Sequence, residues 1–535
     1  MSTIASPKSL TSAAVRGVQW TTAASVATAL MQIGYTAIMA RLLDPAAFGL
    51  VAMAGVVLRF GTYFAEMGIG HAIVQRSTIS QDDVRASFTA SLGLGAVVTV
   101  LACLLAPLAT FFLNNEAVVS LVRFQSLGFV FVGLGMTATS LLRREMRFEV
   151  LAKIEVAAYI LGYGGVGVTL AWATSKGLLH IGGVWSLIAG TLAQQLLVAI
   201  MSYLVVRHSM KLIFKWNAYK QLLGYGSRVS IISFLEFING NLDTMLIGRL
   251  LGPVLLGIYN RAYMLLYLPM YFLTNSLARV AFPAFSKVKD DVARVRSLYL
   301  TSSTLVATVV MPLCAGVAVA APELVEMLLG PRWAASVPIL RVLCISIPLS
   351  MTTLFAGVVA DARANLRQKI ILNIEFMLLL ASLFGLLRSF GLAGIAAAIG
   401  TGEVVRTFLY MRITHNDIGI PYRRLFAIYV PGLINAAAVG TGLLVVSLLI
   451  RPLHLPTLVT LLVQMLTGAI VLGAVVLRWP SPELRSPLQQ LLSRLQQLSV
   501  IPAAGRALLL RYEMFLERRK ALLFSFDPLS SSMPS

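Results

Sequence analysis

Runs of twenty or more apolar residues recur from one end of this 535-residue chain to the other. As a helix, a run of that length covers the roughly 30 Å hydrocarbon core of a bilayer. Inside hydrocarbon only helices and closed barrels satisfy every backbone N–H and C=O. Fourteen spans are predicted, at about 17–40, 46–66, 84–106, 117–141, 153–174, 183–206, 229–250, 254–282, 297–321, 334–360, 367–387, 391–411, 427–450 and 456–477. The expected fold class is an all-α membrane protein. No short apolar core with a small-residue cleavage site precedes the first span, so it reads as a retained helix.

Charge fixes the expected orientation, because basic loops stay on the cytoplasmic side. With the N-terminus inside, 31 of the 43 Lys and Arg fall on inside segments and six on outside connections. Both termini are therefore expected on the cytoplasmic side of the membrane. The net charge of +21 is dispersed over alternating loops without an aromatic-rich basic domain, so no nucleic-acid partner is expected. Lipid headgroups are the natural partners of those loops. Cys103, Cys314 and Cys344 all lie within apolar spans, which indicates neither a disulfide framework nor a metal site. No cofactor is expected.

The chain is also written twice. Arg41-Leu42-Leu43-Asp44-Pro45 through Gly49-Leu50 returns as Arg249-Leu250-Leu251-Gly252-Pro253 through Gly257-Ile258. Beyond it Pro107 answers Pro322, Arg123 answers Arg341, and Lys153-Ile154-Glu155 answers Asn373-Ile374-Glu375. Spans 1–6 thus map onto spans 7–12 as parallel repeats about an axis normal to the membrane, with spans 13 and 14 outside the duplication. The expected division is a cytoplasmic N-terminus 1–16, an N-lobe 17–206, a linker 207–228, a C-lobe 229–411, an added pair of spans 427–477 and an amphipathic basic tail 478–535. The tail has helical apolar spacing followed by Arg511, Arg518, Arg519 and Lys520, which suits an interfacial helix. The repeated junction itself reads as a turn on the outer side, its arginines anchored in headgroups.

An ionised side chain at mid-bilayer costs about 2.5–3.5 kcal/mol unless it faces protein or water. Eleven lie within predicted spans: Arg59, Glu66, Arg123, Glu236, Asp243, Arg261, Arg279, Arg341, Glu375, Glu403 and Arg406. Most must line a shared wet interior. Glu66 and Arg279 sit near cytoplasmic ends, where they can snorkel, and Glu403 and Arg406 are spaced to neutralise each other. Span 7 is the most polar: Glu236, Asn239, Gly240 and Asp243 share one helix face. Asn260, Tyr263, Tyr267, Tyr271 and Thr274 stripe span 8, and Gln32, Tyr35, Arg59 and Tyr63 are the comparable positions in spans 1 and 2. Tyrosines at this spacing also suit ordinary packing. The arginines outnumber nearby acids in the outer half, which fits an anionic cargo such as a pyrophosphate.

No GxxxxGK[ST] phosphate loop, HExxH or paired-cysteine motif occurs, so the residues point away from an enzyme. The Gly17-Val18-Gln19-Trp20 opening, the RLLDPAAFGLVAMA junction, Phe64-Ala65-Glu66-Met67-Gly68-Ile69-Gly70, and the Asn241–Gly248 and Gly257–Ala262 segments resemble the bacterial polysaccharide transporters. These are Wzx-like oligosaccharide flippases of the multidrug/oligosaccharidyl-lipid/polysaccharide superfamily, and the likeness covers about 12–425. It implies two six-helix lobes in a V that move an undecaprenyl-diphosphate-linked repeat unit to the outer leaflet by ion-coupled alternating access. Polymerase and chain-length proteins would be further partners.

On that reading Arg59, Arg123, Arg261 and Arg341 hold the diphosphate or acidic sugars. Gln32, Tyr35, Tyr63, Asn239, Tyr263 and Tyr267 pass the glycan, and Glu236 or Asp243 takes a proton or sodium. Two alternatives stand beside it: a cation-coupled multidrug exporter, and a non-transporting scaffold whose tail recruits the polysaccharide machinery.

Overall fold

A computed structural model describes residues 7–65, 73–74, 78–213, 230–288, 290–363 and 366–478; the side chains of Tyr63, Glu236, Tyr271, Thr274 and Arg279 are outside the description. Glu66, most of the 207–228 linker and the tail beyond 478 also lie outside the described residues. Every described element is helical. The stretch expected as the N-lobe holds α1 (Pro7–Leu42), which begins within the expected 1–16 terminus, α2 (Pro45–Ala65), α3 (Gln81–Leu113), α4 (Ala117–Arg144), α5 (Phe148–Tyr159), a π-helical segment Ile160–Gly167, α6 (Val168–Ser175) and α7 (Val184–Val206). The stretch expected as the C-lobe holds α8 (Ser230–Lys287), α9 (Val292–Val319), α10 (Ala321–Leu328), α11 (Ser336–Ala362), α12 (Leu366–Leu387) and α13 (Gly391–Ile418), whose last turns pass the expected end at 411. Then come α14 (Tyr422–Ala427), α15 (Val430–Ile450) and α16 (Thr457–Arg478).

Eleven described segments are long and apolar enough to cross a membrane, which makes this a multi-pass membrane protein. Three of the fourteen predicted spans do not stand as separate segments, each for a local reason. The apolar part of α2 runs only from Pro45 to Arg59. Spans 7 and 8 are one helix, α8, bent at Gly252, whose φ of 81° and ψ of 179° suit only glycine. Spans 11 and 12 are separated by no more than the 3-10 turn Arg388–Phe390. Polar caps set helix ends elsewhere: Ser80 and Asp83 form a reciprocal capping box on α3, and Asp291 accepts from Arg294 N at 3.1 Å to start α9.

The duplicated junctions face each other. A Cβ on Gly49 would fall 1.8 Å from Pro253 O, and one on Gly257 would fall 1.9 Å from Pro45 O. The glycine of each copy therefore admits the proline carbonyl of the other, and α2 packs along α8. The arginines are reciprocal as well. Arg41 Nη2 donates to Met327 O at 2.6 Å, at the C-terminus of α10, and Arg249 Nη1 donates to Phe111 O at 2.5 Å and Phe112 O at 3.0 Å, at the C-terminus of α3. Each caps the exposed carbonyls and negative dipole end of a helix in the opposite lobe. This corrects the headgroup-anchor expectation: the motif is a two-fold clasp between lobes. Trp333, fully buried, extends it by donating to Ala40 O at 2.9 Å and meeting Phe48 edge-on at 5.4 Å.

A second pair of repeat equivalents behaves alike. Pro107 has no N–H for Cys103 O, and Arg123 Nε reaches that carbonyl at 3.4 Å; Pro322 has none for Ala318 O, and Arg341 Nε reaches it at 3.3 Å. Both arginines are exposed. Arg341→Ala is expected to lower stability by about 1 kcal/mol, the scale of one hydrogen bond, and to leave cargo affinity unchanged. Parallel thermal melts and ligand titrations of the purified variant check this.

The added helices are held by a half-buried polar latch. Arg451, at the end of α15, donates Nε to Glu323 Oε1 at 2.7 Å, and Nη2 to Glu323 Oε2 at 3.2 Å and Val319 O at 3.0 Å. Gln464 of α16 donates to Ser447 Oγ at 3.0 Å beside it. Burial alone would raise Glu323, but hydrogen bonds from Arg451 and the backbone, with the arginine's charge, hold its carboxyl below the ordinary glutamate value of 4.5. A depressed folded-state value means that the latch contributes fully above that pH and is lost as pH falls through the lower folded value. Arg451→Ala is expected to cost about 1–3 kcal/mol and to remove this acid dependence, read from melts between neutral pH and pH about 3.

Candidate functional site

Beneath the clasp, between the lobes, lies a cavity of about 630 Å3 lined by α1, α2, α4, α5, the π-helical segment, α7 and α8. Two guanidiniums enter it. Arg59 donates to Asn241 Oδ1 at 3.3 Å, and Asn241 is itself held by donating to Phe237 O at 2.8 Å. Arg261 lies 4.5 Å over the Phe48 ring and donates Nη2 to Asn260 Oδ1 at 2.8 Å, while its buried Nε has no partner among the described residues. Phe48 thus joins the cavity roof to the clasp. Asp243 is the one acid among the described lining residues, and its oxygens accept from Tyr259 OH and from Thr244 N. Two cations against one hydrogen-bonded carboxylate give this cavity positive character in a low-dielectric surround, where such charge acts strongly.

A smaller cavity of about 120 Å3 lies within the C-lobe, sharing Asp243, Tyr259, Tyr263 and Tyr267 with the first and adding Asn239, Ser346, Ser350, Glu403 and Arg406. Glu403 Oε1 pairs with Arg406 Nη1 at 3.1 Å, as their i,i+3 spacing predicts, and Arg406 lies 5.0 Å over the Phe376 ring. Glu403 Oε2 and Asn239 Oδ1 are buried without a partner among the described residues. Asp243 thus stands in the wall between an interlobe space and a polar C-lobe chamber.

The family described as polysaccharide biosynthesis protein matches residues 38–338, more than half of the chain. The chain belongs to this family. Among relatives, the lipopolysaccharide biosynthesis protein WzxC of Escherichia coli K12 is 27% identical over 342 residues, 63% of this chain and 67% of that one. The succinoglycan biosynthesis transport protein ExoT of Rhizobium meliloti is 29% identical over 62% of this chain and 65% of its own. Among solved structures, the lipid II flippase MurJ in an inward closed conformation superposes with a TM-score of 0.63 at 12% identity, over 87% of this chain and 99% of that one. An inward-facing multidrug transporter of the MATE family gives 0.50 at 15% identity, over 79% and 95%. At such identities the likeness speaks to fold alone.

In this member of the polysaccharide biosynthesis family, seven of the expected site residues meet at the interlobe cavity: Gln32, Tyr35, Arg59, Asp243, Arg261, Tyr263 and Tyr267. Asn239 lines the C-lobe chamber instead. Arg123 and Arg341 are not among the residues lining either, and their proline-freed carbonyls explain why. Tyr63 and Glu236 have no described side chain. Charge does not mark Gln125, Tyr159, Tyr163, Thr191 and Gln195, which all line the cavity. Two signals for them stood in the sequence: the Tyr159-Tyr163 spacing ahead of Gly164-Gly165, and Gln194-Gln195 in an otherwise apolar span.

Proposed function

We propose that this chain is a flippase that carries lipid-linked oligosaccharide repeat units, an undecaprenyl diphosphate bearing a short glycan, across the bacterial inner membrane for surface polysaccharide synthesis. The observation that carries the reading is the pairing of Arg59 and Arg261 in one interlobe cavity whose remaining wall is rich in tyrosine, amide and hydroxyl groups. Guanidiniums match phosphate oxygens in a forked geometry, and amide and aromatic groups suit a glycan. A multidrug exporter that expels organic cations is disfavoured, because a cavity with two arginines repels that cargo. The clasp forms the outer closure, so alternating access requires Gly49 and Gly257 to part from the opposing prolines.

Coupling runs through the C-lobe chamber, where a proton or sodium ion reaches Asp243. The anchoring experiment expresses the chain and its Arg59→Ala/Arg261→Ala variant in a strain lacking its own flippase. Polysaccharide should return with the first and not with the second, at equal membrane levels. Asp243→Asn is expected to cut export on the order of 5- to 150-fold, the span of a typical coupling energy, with little change in affinity for undecaprenyl diphosphate. Unchanged export in that variant contradicts the coupling role.

A further inference from the structure

The N-lobe wall of the interlobe cavity carries three tyrosines in mutual contact. Tyr35 of α1 meets Tyr163 with ring centroids 5.0 Å apart, Tyr159 meets Tyr163 at 4.7 Å, and Tyr35 meets Tyr159 at 6.4 Å. Gln125 of α4 and Gln195 of α7 line the cavity beside them. The amide oxygens of both glutamines and the hydroxyl of Tyr35 are buried without a partner among the described residues. Each unpaired buried group costs about 1–3 kcal/mol, and folded proteins keep few of them. Three in one wall describe a surface built for an incoming ligand rich in donors and acceptors.

The backbone here is shaped to hold that surface still. Tyr159 closes α5 and Tyr163 sits in the π-helical segment Ile160–Gly167, a rare widened turn that recurs at functional sites. The turn is pressed against its surroundings: a Cβ on Gly162 would lie 2.5 Å from Gln194 N, and one on Gly167 would lie 3.1 Å from the Tyr35 hydroxyl. A Cβ on Gly128 would lie 2.3 Å from Gln195 Oε1, so the missing side chain at Gly128 is what admits the glutamine amide. In the C-lobe, by contrast, Tyr263 and Tyr267 stack on each other at 4.9 Å and 18°, which covers one face of each ring.

Resting on the flippase reading above, we infer that Tyr35, Tyr159, Tyr163, Gln125 and Gln195 form a subsite that reads the sugar joined directly to the diphosphate. The tyrosine rings pack on the C–H face of a pyranose, and the two amides and the Tyr35 hydroxyl pair with its hydroxyl groups. Arg261 lines the same cavity as Tyr35, Tyr159 and Tyr163. A diphosphate held by Arg261 therefore brings its first sugar, one bond away, against this wall. Selectivity for that sugar resides in neutral N-lobe groups, separate from the arginines that hold every cargo alike.

The test titrates the purified full-length protein in lipid nanodiscs with undecaprenyl diphosphate, and with undecaprenyl diphosphate carrying a single glucose, galactose or N-acetylglucosamine. Kd is read by native mass spectrometry. The wild type is expected to bind at least one glycosylated lipid about tenfold more tightly than the bare one, the scale of one aromatic packing contact. In Tyr159→Leu/Tyr163→Leu, and separately in Gln195→Leu, that ratio should fall to about one while the Kd for bare lipid holds. The bare-lipid Kd doubles as a control for folding, and Gln195→Leu, close in volume, carries the test should the tyrosine pair prove essential for folding. Equal affinity of the wild type for all four lipids, or variants that keep the preference, would overturn the subsite alone. A wild type that binds none of the four overturns the flippase reading with it.

Discussion

Replacing Gly257 by valine is expected to stop polysaccharide export and leave the clasp end of the transporter unable to close. Even the first carbon of a side chain there would sit 1.9 Å from Pro45 O and 3.1 Å from Gly49 N, atoms of the backbone that cannot swing aside. Gly49 stands in the same relation to Pro253, with its Cβ 1.8 Å from the carbonyl oxygen. Overpacking costs about 1–3 kcal/mol per site, so a Gly49→Val/Gly257→Val double variant shifts the closed-to-open ratio on the order of a hundredfold or more. The direct readout is a cysteine placed at Gln32, in a background with Cys103, Cys314 and Cys344 changed to alanine. An impermeant thiol reagent added from outside should label it in Gly257→Val and spare it with Gly257 intact. Equal labelling of both would mean that the clasp is not the gate.

The second large effect is expected at Arg261. Its Nε is buried and unpartnered among the described residues, and its guanidinium plane rests on Phe48. Arg261→Ala removes a preorganised phosphate donor, and charged hydrogen bonds contribute about 1.5–3 kcal/mol each. Affinity for undecaprenyl diphosphate should therefore fall by roughly one to two orders of magnitude per bond lost. Arg261→Lys should recover little, because an ammonium neither forks across two phosphate oxygens nor stacks flat on the ring. Arg59→Ala is expected to do less, since Arg59 is exposed and its Asn241 contact is long at 3.3 Å. Titration of the three purified variants with the bare lipid ranks them, and a lysine as good as the arginine would refute the forked contact.

The bilayer made much of this protein readable in advance. Hydrocarbon demands apolar length, so the helical segments are legible in the sequence even where their ends are not, α1 starting at Pro7 rather than 17 and α3 ending at Leu113 rather than 106, and it penalises charge, which marks Arg59, Arg261 and Asp243. The same logic misled at Arg123 and Arg341. Their cost is met by proline-freed carbonyls, a relation present in the spacing of Pro107 from Cys103 and of Pro322 from Ala318. Neutral groups carry a smaller penalty and so escaped notice, which is why Tyr159, Tyr163, Gln125 and Gln195 emerged only with the fold. The clasp was visible as a repeat and invisible as a contact: periodicity marks Gly49 and Gly257 as equivalent, but only three dimensions set each against the other's proline. The π-helical turn at Ile160–Gly167 has no period of its own to betray it.

On the proposed function, an arginine-lined cavity carries a glycosylated polyprenyl diphosphate across the membrane. It is tested most directly by reconstituting the purified protein into liposomes and loading a radiolabelled undecaprenyl-diphosphate glycan in the inner leaflet. Its arrival outside is timed with a membrane-impermeant glycan-modifying enzyme. The account predicts transfer by the wild type when an ion gradient is imposed, and transfer at the protein-free rate by Arg59→Ala/Arg261→Ala. A wild type no faster than empty liposomes, or an arginine-free cavity that transfers at the wild-type rate, would contradict it.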